Sequence, residues 1–252
     1  MRKWMLALCS LAFVGCASWG SKNKEKSELY LRIGVSYIES GNYPFALREL
    51  LKAEELDPKN PVVQNNLGQV YFLRERFDLA EQKFSRAIEL KSDYTDARNN
   101  LARTLIEVGK YQAAEKELTV VFNDLTYSGV TKAYINWGLS KFLQKDYSGA
   151  RSAFGKVLET QSDDCVANTY YGRSLFEEKD YSRAAEALDR AVGFCQKGLI
   201  DEPHYYSALA YYRLGEKSKA IARFEELIKY YPQGKYRDKA KALLDLIRKG
   251  QQ

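Results

Sequence analysis

Small residues recur along this chain at a spacing that few folds can accommodate. One set of glycines and alanines is separated by 34 or 36 residues: Gly34, Gly68, Ala102, Gly138, Gly172 and Ala208. A second set, of alanines only, repeats the same order of intervals: Ala46, Ala80, Ala114, Ala150, Ala184 and Ala220. Two independent sets with one irregular rhythm indicate a chain built from six copies of one structural unit.

Bulky residues accompany the second set at helical distances. Four residues after each alanine stands a leucine or a phenylalanine: Leu50, Phe84, Leu118, Phe154, Leu188 and Phe224. Three residues before it, in the first five copies, stands an aromatic residue: Tyr43, Phe77, Tyr111, Tyr147 and Tyr181. Separations of three and four residues place side chains on one face of a helix, so each copy is expected to be helical.

The period and these residues resemble the tetratricopeptide repeat, and the first copy carries most of its pattern: Tyr30, Ile33, Gly34, Tyr37, Ala46, Leu50, Ala53 and Pro58. The resemblance covers residues 27–234. It implies an all-α fold, a right-handed superhelical solenoid of six helix pairs in which each pair covers its neighbour. Residues 235–252 are predicted to be a C-terminal capping helix and tail, and the apolar face of that helix is predicted at Ala242, Leu243, Leu246 and Ile247.

The N-terminus has the layout of an export signal. Arg2 and Lys3 precede an apolar run from Met5 to Val14, which is shorter than the roughly 20 residues of a membrane-spanning helix. We therefore expect residues 1–15 to be a signal peptide. Either this is a lipoprotein signal peptide that is cleaved before Cys16, or it is an ordinary signal peptide and the cysteine at position 16 is incidental.

The tetrapeptide "FVGC" at residues 13–16 resembles the bacterial lipobox. That resemblance implies cleavage before Cys16 and acylation of its sulfur and new amino group, with residues 16–26 as a lipidated polar tether. Two or more acyl chains anchor a protein stably to a membrane surface. Ala17 follows the cysteine, which in lipoproteins of this type implies the periplasmic face of the outer membrane.

The distribution of charge argues against a nucleic-acid partner. Removing residues 1–15 takes away Arg2 and Lys3 and lowers the formal net charge from +6 to +4. Nucleic-acid-binding proteins concentrate Lys and Arg on one face. Here acidic residues are interleaved along most of the chain, and only the region from Lys235 to Lys241 is biased towards lysine and arginine.

Two cysteines remain besides Cys16 once the signal peptide has taken Cys9 away. Cys165 is predicted to open the first helix of repeat five, and Cys195 to follow the end of its second helix. Antiparallel packing brings these two ends together, and export places them in an oxidising compartment, so we expect a disulfide. A metal or redox pair is the alternative, although neither a nearby histidine nor a CxxC spacing supports it.

Nothing in the sequence indicates catalysis or a cofactor. The single histidine, His204, occupies a position where the repeat needs a bulky packing residue, and no nucleophile is marked near it. No glycine-rich phosphate loop and no histidine-based metal spacing is present. We predict a binding scaffold without catalytic residues, metal, cofactor or small-molecule substrate; a hydrolase with an unrecognised site is the remaining enzyme alternative.

The resemblance to tetratricopeptide repeats implies a concave groove lined by the first helix of each repeat. Carrying the groove positions over gives twelve residues: Leu31, Val35, Ile38, Asn65, Gln69, Phe72, Asn99, Arg103, Ile106, Ile135, Leu139 and Phe142. In repeat one the helix is apolar nearly all round, and exposed apolar patches mark interaction sites. We therefore expect Leu31, Val35 and Ile38 to hold the partner, unless an N-terminal segment folds over them.

A lipobox followed by six such repeats resembles the outer-membrane lipoproteins that act as pilotins for type IV pilus secretins. The resemblance is strongest at "NNLGQVYFLRERFDLAEQKFSRA" and at "DLTYSGVTKAYINWGLSKF", which contains a two-residue insertion before repeat four. It implies a protein partner, a secretin subunit, whose membrane insertion and multimer assembly the chain promotes. The alternative is an envelope adaptor lipoprotein that docks cell-wall hydrolases or β-barrel assembly factors.

Overall fold

The computed structural model describes residues 22–195 and 200–250, and every regular element in these two ranges is an α-helix. The first helix, α1, covers residues 22–39. Twelve further helices follow it: α2 (Tyr43–Leu56), α3 (Pro61–Leu73), α4 (Phe77–Leu90), α5 (Thr95–Glu107), α6 (Tyr111–Asn123), α7 (Val130–Leu143), α8 (Tyr147–Leu158), α9 (Cys165–Glu177), α10 (Tyr181–Phe194), α11 (Glu202–Arg213), α12 (Lys217–Tyr230) and α13 (Arg237–Lys249). The predicted signal peptide and the predicted lipidation site Cys16 lie outside the described residues.

Helix α1 includes residues that the sequence assigned to the tether. Residues 22–26 were expected to belong to the polar tether, but they are helical. Three lysines and a glutamate dominate this stretch, and both residue types are strong helix formers. The next residue, Ser27, is buried and donates a hydrogen bond of 2.8 Å to the carbonyl oxygen of Ala53 in α2. This contact fixes the N-terminal part of α1 to the rest of repeat one.

The repeated small and bulky residues meet inside each repeat, as the sequence pattern predicted. A Cβ atom added to Gly34 would lie 2.7 Å from Cγ of Leu50, and one added to Gly68 would lie 2.7 Å from the ring of Phe84. The same close approach recurs at Gly138 with Phe154 and at Gly172 with Leu188. The absence of a side chain in the first helix therefore makes room for the bulky residue of the second helix, which is why both sets share one rhythm.

A third repeated feature lies in the turn between the two helices of each repeat. One residue per turn has a left-handed backbone, with φ between 57° and 80°: Gly41, Glu75, Gly109, Lys145, Lys179 and Gly215. The residue after it donates its backbone N–H to a carbonyl five residues earlier, as Arg76 does to Tyr71 at 2.9 Å. This is the hydrogen bond of a Schellman motif, which ends the first helix. The position escaped the sequence analysis because three of its six residues are not glycine.

Residues 22–127 form one compact unit, which contains α1 to α6. Its helices pack in chain order, α2 against α3, α3 against α4, α4 against α5 and α5 against α6. At the start of the unit, alanines and branched residues from α2 and α3 form a closed core: Ala46, Leu50, Ala53, Val63, Leu67 and Val70. Each helix thus buries its apolar face against its neighbours in the chain, as expected for stacked repeats.

The residues from Ser128 onward form a second compact unit, with helices α7 to α13. Its first core cluster joins α7, α8 and α9: Leu139, Phe142, Ala150, Phe154, Val157 and Ala167. A second cluster, which includes Leu175 and Leu188, continues through α9 to α11. The boundary between the two units coincides with the two-residue insertion before repeat four.

The C-terminal helix packs on a face that matches the predicted one only in part. In α13 the buried side chains are Ala240, Leu244 and Ile247, whereas Ala242 is exposed and Leu246 is 65% exposed. The three buried residues follow an i, i+4, i+7 pattern, the spacing of one helix face. Of the four predicted residues, Ile247 is buried and Leu243 packs against the core cluster, whereas Ala242 and Leu246 are exposed. The prediction omitted Ala240 and Leu244, which complete the buried face.

A buried carboxylate fixes where this last helix begins. The side chain of Asp201, which precedes α11, is buried and accepts a hydrogen bond of 2.6 Å from the backbone N–H of Tyr236. Tyr236 is the N-cap of α13 and is itself buried. A carboxylate at the N-terminus of a helix satisfies an otherwise unpaired donor and interacts favourably with the helix dipole. Asp201 therefore joins the capping helix to repeat six.

Candidate functional site

The predicted binding residues of repeat one are only partly accessible. Leu31, Val35 and Ile38 are all half-buried. Leu31 and Ile38 pack against the core cluster of α2 and α3, whereas Val35 is not among the residues packed against that cluster. Repeat packing thus accounts for part of the apolar excess that the sequence left unexplained. Of the three predicted residues, Val35 is the one that does not pack against this cluster.

Repeat one also carries exposed apolar residues that the sequence analysis did not single out. Leu29 in α1 is 48% exposed and Phe45 in α2 is 43% exposed. The ring of Phe45 lies 5.5 Å from that of Tyr37, and the guanidinium of Arg48 lies 4.6 Å from the Phe45 ring centre. Sequence reasoning missed Phe45. The available signal was that the position just before the repeated alanine carries charged residues in the last two repeats, Arg183 and Lys219, but a phenylalanine in the first.

The predicted groove residues of repeats two and three divide into a buried and an accessible group. Asn65, Asn99 and Ile106 are buried. Gln69 is exposed, and Phe72 and Arg103 are half-buried. The structure brings these last three together around a cavity of about 200 Å³, which is also lined by Leu73, Phe84 and Asn100. Asn100 was not predicted, although it follows a predicted residue directly.

The predicted groove residues of repeat four are largely closed to solvent. Ile135 is half-buried, but Leu139 and Phe142 are each only 7% exposed and belong to the core of the second unit. The Phe142 ring packs edge-on against Tyr147 and Tyr170, with centroid distances of 5.4 and 5.2 Å. The expectation that Leu139 and Phe142 line an open groove is therefore not met, because neighbouring aromatic rings cover them.

An ion pair beside this aromatic cluster ties the last two repeats to the capping helix. Arg173 Nη1 donates to Glu202 Oε1 at 2.6 Å, and the hydroxyl of Tyr236 donates to the same oxygen at 3.0 Å. The Arg173 guanidinium also lies 4.5 Å from the ring centres of both Phe142 and Tyr206. Burial, together with the charge of Glu202, raises the pKa of Tyr236 well above its usual range. The tyrosine therefore stays a hydrogen-bond donor at any physiological pH.

The two cysteines lie where the sequence predicted. Cys165 is the first residue of α9 and Cys195 is the C-cap of α10. Their sulfur atoms are 1.99 Å apart and their Cα atoms 4.9 Å apart, which is within the range of a disulfide. The hydroxyl of Thr169 lies 3.8 Å from the Cys195 sulfur in a buried position. The pair thus closes one end of repeat five.

The single histidine is a packing residue. His204 is 2% exposed, and its ring lies 5.1 Å from that of Tyr231. In residues 22–195 and 200–250, no group of three or more His, Cys, Asp or Glu side chains is arranged to hold a metal ion. Within the same ranges, no helix has the length and apolar character needed to cross a membrane.

Comparison with known families identifies the repeat. Family models described as TPR repeat or tetratricopeptide repeat match residues 34–74, 71–124, 135–198 and 204–234. Together the matched segments extend over both compact units. The period, the helix pairs and the close packing of small against bulky residues agree with these matches.

Among curated proteins, the chain is 27% identical over 168 residues to the type IV pilus assembly protein PilF of Pseudomonas aeruginosa. The aligned segment covers 63% of this chain and 66% of that protein. It is 33% identical over 95 residues to a lipoprotein NlpI homolog of Haemophilus influenzae, which covers 38% of this chain and 30% of that protein. The chain therefore spans less than two thirds of the length of each of these relatives.

Two solved structures share the fold. The structure of Pseudomonas aeruginosa pilF superposes with a TM-score of 0.74 at 21% identity and covers 88% of this chain and 99% of that one. PilW, described as a widely conserved type IV pilus biogenesis factor, superposes with a TM-score of 0.77 at 18% identity. This superposition covers 84% of this chain and 97% of PilW. The chain is a tetratricopeptide-repeat protein, and it resembles proteins of type IV pilus biogenesis.

Proposed function

We propose that this chain is an outer-membrane lipoprotein that binds a secretin subunit and promotes its membrane insertion and multimer assembly in type IV pilus biogenesis. The observation that carries the proposal is the sequence relation to the type IV pilus assembly protein PilF over 168 residues. The fold supports it, because stacked helix pairs offer extended surfaces for protein partners. The chain acts as a scaffold in this proposal and performs no chemistry.

In this proposal, lipidation holds the scaffold at a membrane surface. The proposed anchor is Cys16, acylated after cleavage behind Gly15, on the evidence of the charged start, the short apolar run and "VGC". Because two or more acyl chains hold a protein stably on a membrane, the repeats would be kept at the periplasmic face of the outer membrane. A captured secretin segment would then be held beside the membrane that it must enter.

The proposed contact surface in repeat one is centred on Val35, which is half-buried in α1. Interface hot spots are few, apolar or aromatic, and surrounded by nearly neutral contacts. Leu31 and Ile38 belong to this proposed surface, but they also pack against the core cluster of α2 and α3. An Asp at Leu31 would therefore reduce stability as well as binding, so Val35 gives the cleaner test.

The test is capture of the secretin subunit from detergent-solubilised outer membranes by wild-type chain, Val35→Asp and Ser36→Asp. Ser36 is the exposed neighbour of Val35 on α1, so its substitution adds the same charge at a matched position. We expect capture by wild type and Ser36→Asp and loss with Val35→Asp, because docking would desolvate the new carboxylate. Equal capture by all three chains, with unchanged circular dichroism, would contradict binding through repeat one.

A second candidate function is an envelope adaptor lipoprotein that docks cell-wall hydrolases or β-barrel assembly factors. The observation that favours this candidate is the match to a lipoprotein NlpI homolog, which extends over 95 residues. The same capture experiment separates the two candidates. Mass spectrometry that finds a hydrolase or an assembly factor, and no secretin subunit, would favour the adaptor.

A further inference from the structure

A small cavity opens between α3 and α5 of the first unit, with a residue of α4 in its wall, and no residue of repeat one lines it. It measures about 200 Å³ and is lined by Gln69, Phe72, Leu73, Phe84, Asn100 and Arg103. An apolar cavity of about 150 Å³ is enough to hold a benzene molecule. The cavity therefore has the size of one large side chain and is too small for most drug-sized ligands, whose sites start at about 300 Å³.

The apolar wall of the cavity is fixed by the repeat itself. The Phe84 ring is 1% exposed and fills the space that Gly68 leaves open, at 2.7 Å from where a Cβ would stand. The Phe72 ring packs edge-on against Phe77 with a centroid distance of 5.5 Å. Leu73, at the end of α3, is 39% exposed and completes this wall. An entering apolar side chain would thus meet a preformed surface and would not have to order it.

The rim of the cavity is polar and offers hydrogen bonds of both kinds. Asn100 donates its Nδ2 to Asn65 Oδ1 at 3.0 Å, which fixes the orientation of its amide. Among the hydrogen bonds of the described residues, none uses Asn100 Oδ1 or the side chain of Gln69. An amide oxygen accepts hydrogen bonds, and the Gln69 amide can both donate and accept. These groups match the N–H and C=O of a peptide backbone.

The one cation at the rim is already neutralised. Arg103 Nη2 lies 2.7 Å from Glu107 Oε1, one helical turn further along α5, and the two side chains are 36% and 35% exposed. The rim therefore carries no net charge and would gain little from a free carboxylate. This favours an internal stretch of chain over a chain terminus, since a terminal carboxylate is usually recognised by unpaired cations or backbone N–H groups.

We propose that the cavity between α3 and α5 binds one large aliphatic or aromatic side chain from an internal, extended segment of the partner, while Gln69, Asn100 and Arg103 hydrogen-bond to the peptide groups on either side. This inference rests on the proposal that the chain binds a protein partner, and it adds a second contact with its own specificity. Repeat one supplies a broad apolar surface, whereas the cavity selects the size of a single side chain.

The test uses blocked amino acids as probes and the full chain carrying Cys16→Ala to remove lipidation. N-acetyl-leucine methylamide and N-acetyl-phenylalanine methylamide mimic an internal residue, N-acetyl-alanine methylamide mimics a small one, and N-acetyl-leucine carries a free carboxylate. Nuclear magnetic resonance of the Gln69 and Asn100 side-chain amides follows binding. We expect saturable shifts with the leucine and phenylalanine methylamides and about tenfold weaker binding of the alanine compound, because less apolar area is buried.

Two tryptophan variants provide the control. Gln69→Trp places a bulky ring over the cavity and should abolish the shifts of Asn100. Gln112→Trp makes the same change at an exposed position of α6, outside the cavity, and should leave them unchanged. Because Gln69→Trp could also disturb α3, Arg103→Met is a second variant. It removes the guanidinium donors, leaves the Gln69 amide in place and keeps an unbranched side chain, so it should weaken leucine methylamide binding severalfold while circular dichroism stays normal.

Three results would overturn the proposal: equal binding of the alanine and leucine methylamides, tighter binding of N-acetyl-leucine than of its methylamide, or no shifts with any of the probes. Loss of binding in Gln112→Trp as well would also contradict it, since the effect would then not depend on the cavity. These outcomes are separate from the test of the proposed function. Secretin capture through repeat one can succeed when the probes fail to bind, and the probes can bind when secretin is not captured.

Discussion

At the scale of single residues, the left-handed position in each repeat turn has a measurable energetic consequence. Three repeats place glycine there and three place Glu75, Lys145 or Lys179, with φ of 57°, 65° and 66°. A left-handed backbone costs a residue with a Cβ atom roughly 1–2 kcal/mol, whereas glycine adopts it without that penalty. The three turns that lack glycine therefore hold a small, local strain.

Substituting Lys179→Gly should stabilise the protein. Glycine removes the left-handed penalty but loses more backbone entropy on folding, so we expect a net gain of about 0.5–1 kcal/mol. The measurement is the midpoint of urea unfolding. The opposite substitution serves as the control: at Gly215, φ is 80° and no atom lies within 4 Å of an added Cβ, so Gly215→Ala should destabilise through backbone conformation alone. A fall in the midpoint with Lys179→Gly would contradict this account of the turn.

At the scale of helices, the sequence was sufficient to predict the structure wherever one packing constraint can be met by only one type of residue. Gly34 and Leu50 occupy one shared space, so their types and their spacing recur together and reveal the helix pairs. The face of α13 was predicted only in part: Leu243 and Ile247 pack on the core, but Ala240 and Leu244 complete the buried stripe, and only the neighbouring helix decides which of two overlapping apolar stripes packs. The left-handed residue in each repeat turn was not predicted, because the turn constrains its backbone conformation and not its side-chain type.

The candidate binding surface was less predictable than the helices for a related reason. Groove positions are defined by the direction of a side chain from its helix, but accessibility also depends on the residues that surround it. Phe142 points as the repeat pattern implies, yet Tyr147 and Tyr170 cover it. The cavity of repeats two and three combines predicted residues with Leu73 and Asn100, whose contribution depends on how α3 and α5 pack.

The link between α9 and α10 gives a prediction at the same scale. We expect Cys165 and Cys195 to be bridged in protein isolated from the periplasm, because they lie at adjoining ends of α9 and α10 with their Cα atoms 4.9 Å apart, and an oxidising compartment favours the bond. Non-reducing peptide mapping should recover the crosslinked pair. In the chain-entropy model, a loop of this length contributes about 3–4 kcal/mol, so Cys165→Ser should lose roughly that amount.

Reduced wild-type protein is the matched control, since it lacks the bond but keeps both cysteines, and it should unfold at the same midpoint as Cys165→Ser. If both thiols react freely with an alkylating reagent without prior reduction, the bridge is absent in the cell. The loss of stability in Cys165→Ser should then be small.

At the scale of the whole molecule, two compact units of stacked helices are made from one repeated motif, and each helix contacts mainly its neighbours in the chain. Stability in such proteins is close to a sum of repeat and interface terms. The proposed function, in contrast, would depend on features that occur once: the lipobox, the apolar surface of repeat one and the cavity between α3 and α5. A change at one of these features can remove a function and leave most of the folding energy in place.

Substituting Cys16→Ala should move the protein from the membrane fraction to the soluble periplasm. The reason is that Cys16 is the proposed site of acylation, so its loss removes the proposed lipid anchor. Cell fractionation followed by immunoblotting is the measurement. Ala17→Ser, which leaves the cysteine in place, serves as the control. Membrane partitioning that is unchanged in Cys16→Ala would remove the lipid anchor from this account.

The most direct test of the central claim is the amount of secretin multimer in the outer membrane, measured on gels, in cells that lack this chain and in the same cells complemented with variants. We predict that multimers disappear without the chain, return with wild type and Ser36→Asp, and stay absent with Val35→Asp although that variant is present and helical. Normal multimers in cells without the chain would contradict the proposal that it assembles the secretin.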